Sequence, residues 1–314
     1  MRSDDRSLLD MRPTAGGRFG VLIVDLGSAQ VLACQNASST FHMGSVVKML
    51  VLLFMCRLVD DGKASLGDRV ARSDLNDIPG GFISEFSNAT IASLSVGELL
   101  SVMIRLNDSV IADYFLRTYS IERLNAFLKI EGCQDTEINS SILGLTMQLV
   151  TLTEGIQEPH NWREYYDLLV SGHVSISESP RPQNLSHLNF STPHDLSSLL
   201  GRLLDGTLLS PTMTSFAMSC LLHQSSTERI PLLLAPSERS AVGHSIGHSV
   251  IDGSYTTIND VGFFRRSPSI ACTLVFLTDR ITDFRQVNQC IAGLSRLAVD
   301  YVLHAESAEQ LESN

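Results

Sequence analysis

The position of the β-rich runs, near opposite ends of the 314-residue chain, is the feature that most restricts the fold. Near the N-terminus, "RFGVLIVDL" and "AQVLACQ" are predicted to form two strands joined by Gly27-Ser28. Near the C-terminus, "DVGFFRR" and "SIACTLVFLTD" predict a second hairpin around Ser267-Pro268, followed by a run with helical spacing of apolar residues. We therefore expect an α/β (α+β) fold, in which one antiparallel sheet from both chain ends is flanked by helices and interrupted by an inserted, mostly helical region.

This pattern divides the chain into two subdomains and two tails. The sheet-containing α/β subdomain is expected to comprise residues 19–43 and 235–304, and the helical subdomain residues 44–234. Residues 1–18 are predicted to be a flexible N-terminal tail, and residues 305–314 a C-terminal tail. The boundaries predict one interleaved globular unit, because the sheet subdomain is assembled from two separate parts of the chain.

Composition favours a small-molecule partner. The net charge is −11 with a sequence pI near 5.2, and the longest run of basic residues is Arg265-Arg266, so nucleic acid is not an expected partner. The longest apolar stretch, Met49 to Met55, is too short to span a bilayer, so we expect no membrane segment. The sequence leaves the oligomeric state open.

The N-terminal residues and the cysteines predict a cytoplasmic location. The first seventeen residues, "MRSDDRSLLDMRPTAGG", mix acidic with basic side chains and contain no apolar core, so they do not resemble a secretory signal. Six cysteines are spread along the chain without a C-x-x-C pair, which is typical of buried thiols in a reducing compartment.

A lysine inside an apolar helix identifies the first candidate site. The run "SVVKMLVLLFMCRLVDDG" is apolar on nearly every face and stops at Gly62, which predicts a buried helix. Burying Lys48 is costly unless the amine is paired or has lost its proton. Residues i and i+3 share a helix face, so Lys48 lies beside Ser45 in the arrangement of a nucleophile and its base. The alternative is that Ser45 only caps the helix and Lys48 extends to its edge.

Further motifs along the chain resemble one family of enzymes. The polar triplet in "MIRLNDSVIAD" lies between two predicted helices, "NFSTPHDLSSLL" opens another helix, and "NDVGFF" reads as a strand. With the S-x-x-K pair, these segments resemble the serine β-lactamases and penicillin-binding proteins, most closely the class A β-lactamase-like family. The resemblance is collinear over roughly residues 19–304. It implies a β-lactamase/transpeptidase-like fold that needs no cofactor.

The resemblance assigns roles to the first two motifs. Ser45 matches the serine that is acylated, and Lys48 matches the lysine that accepts its proton, with the Ser45 backbone N–H as one oxyanion donor. Asn107 stands where the family has a serine that relays a proton to the leaving nitrogen. Asp108 is unchanged and structural, and Ser109 stands where an asparagine holds the substrate amide. The alternative for the triplet is a structural turn between two helices.

The third motif is altered. The family has Lys-Thr-Gly on a strand, and this chain has Ser245, Ile246 and Gly247, with His244 and His248 on either side. The replaced lysine normally binds a substrate carboxylate, so a substrate without one, or one that an imidazole handles, is expected. The His248 backbone N–H falls where the second oxyanion donor is expected. No metal site is predicted, because the two histidines lack carboxylate or cysteine partners at ligand spacing.

The glutamate that activates the deacylating water in class A enzymes has no counterpart. Aligning "TEINSSILG" on that segment places Ser141 and Ile142 at the position, and neither can act as a base. Glu158 and Glu178 are candidate substitutes in a long loop predicted for residues 155–191, which is expected to contain one short helix around "WREYYDLLVSG". The simpler interpretation is that both glutamates are solvated loop residues.

These observations predict a serine hydrolase or acyltransferase that forms an acyl-enzyme on Ser45, with Lys48 as general base. The substrate carbonyl is an amide, lactam or ester, and efficient β-lactam hydrolysis is not expected. Two alternatives stay open: a class A-type β-lactamase with another deacylating base, and a binding protein that has lost catalysis. A role in secondary metabolism is one expectation for an enzyme without an export signal.

Overall fold

The computed structural model describes residues 17–75, 92–148, 150–176, 188–251 and 255–312. The helices are α1 (Val47–Asp60), α2 (Val96–Arg105), α3 (Ser109–Tyr119), α4 (Ile121–Ile130), α5 (Ile142–Met147), α6 (Trp162–Val170), α7 (Pro193–Leu204), α8 (Pro211–Leu222), α9 (Pro236–Arg239) and α10 (Phe284–Glu312). Short 3-10 turns occupy Gly44–Val46 and Arg72–Leu75.

The strands are β1 (Arg18–Asp25), β2 (Val31–Gln35), β3 (Phe41–His42), β4 (Arg69–Ala71), β5 (Ser93–Ser95), β6 (Val150–Leu152), β7 (Val174–Ile176), β8 (Phe190–Ser191), β9 (Val242–Ile251), β10 (Tyr255–Arg265) and β11 (Ala271–Asp279). Five of them form one sheet in the order β2-β1-β11-β10-β9, with every neighbouring pair antiparallel. The sheet predicted from both chain ends is therefore confirmed. Sequence reasoning missed three two-stranded sheets, β3-β8, β4-β5 and β6-β7, whose strands are two or three residues long.

Two apolar layers cover the two faces of the sheet. Alternate residues of a strand point to opposite faces, so Phe263 and Val275 pack on the helical side while Phe264 and Leu274 pack against α10. The helical-side cluster contains residues of α1 to α5, α7 and α8 as well as residues of the sheet. The helical-side layer is consequently built from residues of both subdomains.

Helix α1 runs through the middle of the helical layer. Every residue of α1 from Val47 to Cys56 is buried. The helix contacts α2, α3, α4, α8 and β9, which explains why its sequence is apolar on nearly every face. The buried helix predicted from this run is confirmed, and Lys48 is 1% exposed.

Local sequence signals fix several helix starts. Ser95 caps α2 and forms a capping box with Glu98. Thr192 caps α7, and Pro193 occupies its first position, where a missing N–H costs nothing. The short helix predicted around "WREYYDLLVSG" is present as α6, with Asn161 as its cap.

The chain ends differ from the predicted tails. Helix α10 runs to Glu312, so it continues through most of residues 305–314, which were predicted as a C-terminal tail. Of the predicted N-terminal tail, residues 1–16 lie outside the described part of the chain, and β1 begins at Arg18. Within the described ranges, no helix combines the length and apolarity that crossing a membrane requires.

Candidate active site

Ser45 lies in the 3-10 turn Gly44–Val46, directly before α1, and is half-buried. The segment that leads into this turn is held by the sheet. The Asn259 side chain donates hydrogen bonds to the carbonyl oxygens of His42 and Met43, at 2.8 and 3.0 Å. The turn that contains Ser45 is thus held before the serine by Asn259 and after it by α1, which follows immediately.

The backbone of β9 lies directly against the same turn. A methyl group on Gly247 would come within 2.5 Å of the Met43 carbonyl oxygen and 3.0 Å of the Val46 nitrogen. Gly44 has a φ of +53°, and a methyl group there would lie 3.3 Å from the His248 nitrogen. Both positions require glycine, because a side chain would separate the strand from the serine turn.

Lys48 joins Ser45 to Asn107. Its Nζ atom lies 3.0 Å from Ser45 Oγ and 2.9 Å from Asn107 Oδ1, and the amine donates to both oxygens. Residue 107 is 59 positions away from the lysine in the chain, so the contact depends on the tertiary fold. The predicted contact between Ser45 and Lys48 is confirmed, and the Asn107 side chain belongs to the same cluster.

Burial changes the protonation of Lys48. Desolvation lowers the pKa of Lys48 from 10.5 to about 7, against the opposing influence of the carboxylates of Asp108 and Asp113. At neutral pH a substantial fraction of the amine is therefore uncharged. An uncharged amine in contact with a hydroxyl has the lone pair that a general base needs.

The triplet at residues 107–109 connects α2 to α3. Asn107 adopts a left-handed backbone with φ of 55°, which asparagine tolerates better than most residues. The Asp108 carboxylate accepts a hydrogen bond from the Ile111 amide at 2.9 Å and caps α3. Ser109 is the first residue of α3 and is half-buried. The turn is structural, as the alternative interpretation held, and it also delivers Asn107 to Lys48.

The residues of the third motif divide between the two faces of β9. Ser245 and Gly247 share the face that meets the serine turn. His244 lies on the opposite face, is buried, and places its Nδ1 atom 2.8 Å from Asp260 Oδ1. The structure thus does not bring His244, a predicted substrate-binding residue, to the Ser45 cluster.

His248 lies near the cluster and near a buried arginine. Although the His248 side chain is exposed, partial desolvation and then the charges of Arg229 and Lys48 lower its pKa. Arg229 is buried and donates to the carbonyl oxygen of Asn259 at 2.9 Å. Sequence reasoning missed Arg229, since a single arginine in an irregular segment gives no pattern.

Ser141 and Ile142, which align with the deacylating glutamate of the family, carry no carboxylate. Ser141 caps α5 by accepting a hydrogen bond from the Gly144 amide, and Ile142 is buried. Glu158 is exposed, in the stretch between β6 and α6. Glu178 lies outside the described residues. Sequence reasoning also missed Asp113, a buried carboxylate that binds the backbone at the start of α5.

No group of three or more histidine, cysteine, aspartate or glutamate residues is arranged to hold a metal ion in the described ranges. The cluster consists of a hydroxyl, an amine and a carboxamide, which is a donor set suited to acyl transfer and poor in metal ligands.

The fold is that of the class A β-lactamases. The TLA-3 extended-spectrum β-lactamase is similar with a TM-score of 0.75 and 15% identity, over 94% of this chain and 97% of that one. A β-lactamase from Chitinophaga pinensis DSM 2588 is similar with a TM-score of 0.73 and 18% identity, over 94% of this chain and 97% of that one. The ancestral (GNCA) class A β-lactamase is similar with a TM-score of 0.70 and 21% identity, over 94% of this chain and 98% of that one. The predicted β-lactamase/transpeptidase-like fold is confirmed.

The family is identified by the sequence. Residues 6–302 match the model of the β-lactamase enzyme family, which is nearly the whole chain. The chain belongs to the β-lactamase enzyme family, so the predicted resemblance is confirmed, and the hydrolase class of that family applies to it.

Proposed function

We propose that this protein is a serine hydrolase or acyltransferase that forms an acyl-enzyme on Ser45, with Lys48 as the general base. The observation that carries the proposal is the 3.0 Å contact between the half-buried Ser45 side chain and the buried Lys48 amine, at the start of a helix packed on the sheet. A lysine whose pKa falls to about 7 is suited to proton transfer at neutral pH.

This geometry supports the following acylation step. The neutral amine keeps one N–H for Asn107 Oδ1, and its lone pair accepts the hydroxyl proton as Ser45 Oγ bonds to the substrate carbonyl carbon. The backbone N–H groups of Ser45 and His248 stabilise the oxyanion, since the two residues flank the contact between the serine turn and β9. Lys48 then holds the proton that the leaving group requires.

Acidic pH is predicted to inhibit acylation through Lys48. Only the uncharged amine can accept the Ser45 proton, and its pKa is lowered to about 7. We expect the second-order rate constant for acylation to fall below about pH 7 and to level off above it. The measurement is the pH dependence of single-turnover acylation by a neutral activated ester. A rate that stays constant from pH 5 to 8 would contradict this assignment.

Asn107 is predicted to slow the protonation of the leaving group. Its Oδ1 atom accepts from Lys48, and its amide nitrogen can donate a hydrogen bond but cannot pass on a proton as a hydroxyl does. Activated esters, whose leaving groups need no proton, should react about 10²-fold or more faster than amides of equal fit. Asn107→Ser should raise the amide rate and leave the ester rate nearly unchanged. Equal ester and amide rates in the wild-type protein would refute the relay argument.

Substrate chemistry is tested by intact-mass spectrometry after exposure to a penicillin, a cephalosporin and p-nitrophenyl esters. The esters carry no carboxylate, which suits a site with Ser245 where the family has lysine. A lasting acyl adduct indicates acylation without deacylation, and product release without an adduct indicates turnover. An inert protein with all three would favour a binding role and oppose the proposal. Ser45→Ala is the control, because it removes only the nucleophile.

A further inference from the structure

An open groove with a volume of about 360 Å³ lies between the second half of α1 and the helix α4. Four residues of α4 line it, Arg123, Ala126, Phe127 and Ile130, at the i, i+3, i+4, i+7 spacing that places side chains on one helix face. Ala126 is the smallest of the four and is exposed, so the middle of this face carries little bulk. No residue of the Ser45 cluster lines the groove.

The floor of the groove is apolar. Phe54 of α1 and Phe127 of α4 are buried and meet with their ring centroids 5.8 Å apart, and Leu58, also buried, lines the same space. Ile130 is 81% exposed, the highest exposure among the large apolar side chains of the described residues. An apolar ligand on this floor would remove Ile130 from water, which favours binding.

The groove also carries a surplus of positive charge. Its cations are Arg57, Lys63 and Arg123, and its carboxylates are Asp61 and Glu131. Arg57 pairs with Glu131 at 2.9 Å, and Lys63 pairs with Asp61 at 2.9 Å. Arg123 is exposed and has no ion pair among the residues that the structure describes. Charges farther away than roughly 8 Å are largely screened at physiological salt, so Arg123 acts on a bound anion more strongly than the net charge of −11 does.

We propose that this groove binds a small amphipathic carboxylate, of the class of medium-chain fatty acid anions. The carboxylate pairs with Arg123, and the alkyl chain lies on the apolar floor and covers Ile130. These two residues are seven positions apart, which corresponds to about 10 Å along the helix axis. A volume of about 360 Å³ suits such a ligand, since it is at the lower end of the range for small-molecule sites. The site goes beyond the proposed function, because binding requires neither Ser45 nor Lys48.

Titration with octanoate, followed by the amide NMR shifts of the protein, gives both the location and the affinity. We expect the shifts to concentrate in α4 and the second half of α1. Hexanoate, which is shorter by two CH₂ groups, should bind about 4- to 15-fold more weakly, according to whether one or both groups are buried. Shifts centred on the Ser45 site, or equal affinities for the two acids, would overturn the proposal.

Arg123→Gln tests the role of the charge. It should weaken octanoate binding by about two- to fivefold, the range of an exposed ion pair, and leave the affinity for neutral 1-octanol unchanged. Lys129→Gln is the matched control, because Lys129 is an exposed cation of the same helix that lies outside the groove and donates to the Gln134 carbonyl. It should bind octanoate like the wild-type protein. Equal weakening in both variants, or in neither, would contradict the pairing with Arg123.

Ile130→Asn tests the apolar contact. The side chain is 81% exposed, so the variant should fold, which thermal unfolding checks. It should weaken octanoate and 1-octanol alike, and unchanged affinities for both would refute the contact. Sedimentation of the wild-type protein tests a second copy as the occupant. Self-association that Ile130→Asn abolishes and octanoate does not displace would assign the groove to that second copy and overturn the proposal.

Discussion

Replacing Lys48 with methionine is expected to reduce the rate of Ser45 acylation by about 10² to 10⁴-fold, the usual cost of losing a positioned general base. The Ser45 hydroxyl would keep its place, because Asn259 and the backbone hold the turn independently of the lysine. Methionine is similar in length to the buried lysine stem and needs no hydrogen-bond partner. The folded state should therefore survive, although Asn107 Oδ1 loses its donor.

Single-turnover acylation by a p-nitrophenyl ester measures this effect, and thermal unfolding of the same samples establishes that the variant is folded. Lys63→Met is the matched control, since Lys63 follows α1, is exposed and pairs with the exposed Asp61. It should be acylated at the wild-type rate. Acylation of Lys48→Met at the wild-type rate, in a folded sample, would show that another group removes the serine proton.

We also expect the protein to hydrolyse β-lactams slowly. Three positions depart from the family pattern: Ile142 for the deacylating glutamate, Ser245 for a lysine and Asn107 for the relay serine. Each of the replaced groups lowers the barrier of a different step, but the effects of losses within one site are not additive. Loss of the deacylating base alone corresponds to about 10² to 10⁴-fold in rate.

We expect purified protein to hydrolyse nitrocefin very slowly or not at all, while Ser45 still accepts an acyl group. The change in nitrocefin absorbance measures turnover. The intact mass of the protein measures the acyl adduct that accumulates when deacylation is slow. Turnover of roughly 10 per second or more, an ordinary enzymatic rate, would contradict the expectation. Glu158→Gln and Glu178→Gln would then identify which glutamate activates the water.

The parts of the site that lie close together in the sequence could be predicted. Ser45 and Lys48 are three residues apart on one helix, so local geometry alone brings them together. The helical position of Lys48 in an apolar run also predicted its burial. Asn107 is 59 residues away from Lys48, and only the collinear resemblance to a family assigned both residues to one site.

The contacts made across the fold could not be predicted. Asp113 binds Ile142 from 29 residues away, and in the sequence it reads as one polar residue in an amphipathic helix. Its position among the buried residues Ile111, Ala112 and Phe115 was the available signal, since an inward aspartate needs donors. His244 was misplaced for a related reason. Strand alternation puts it opposite Ser245, and its partner Asp260 lies on the neighbouring strand.

Peptide mapping of the acylated protein decides whether Ser45 is the nucleophile. Trypsin cleavage after Arg18 and Lys48 releases residues 19–48, a peptide that also contains Cys34. Cys34 is exposed and could itself react with an ester, so the experiment uses Cys34→Ser as the background. We predict that fragmentation places the acyl group on Ser45 and that Ser45→Ala in this background abolishes the adduct. An adduct on another residue, or one that persists in Ser45→Ala, would contradict the proposed mechanism.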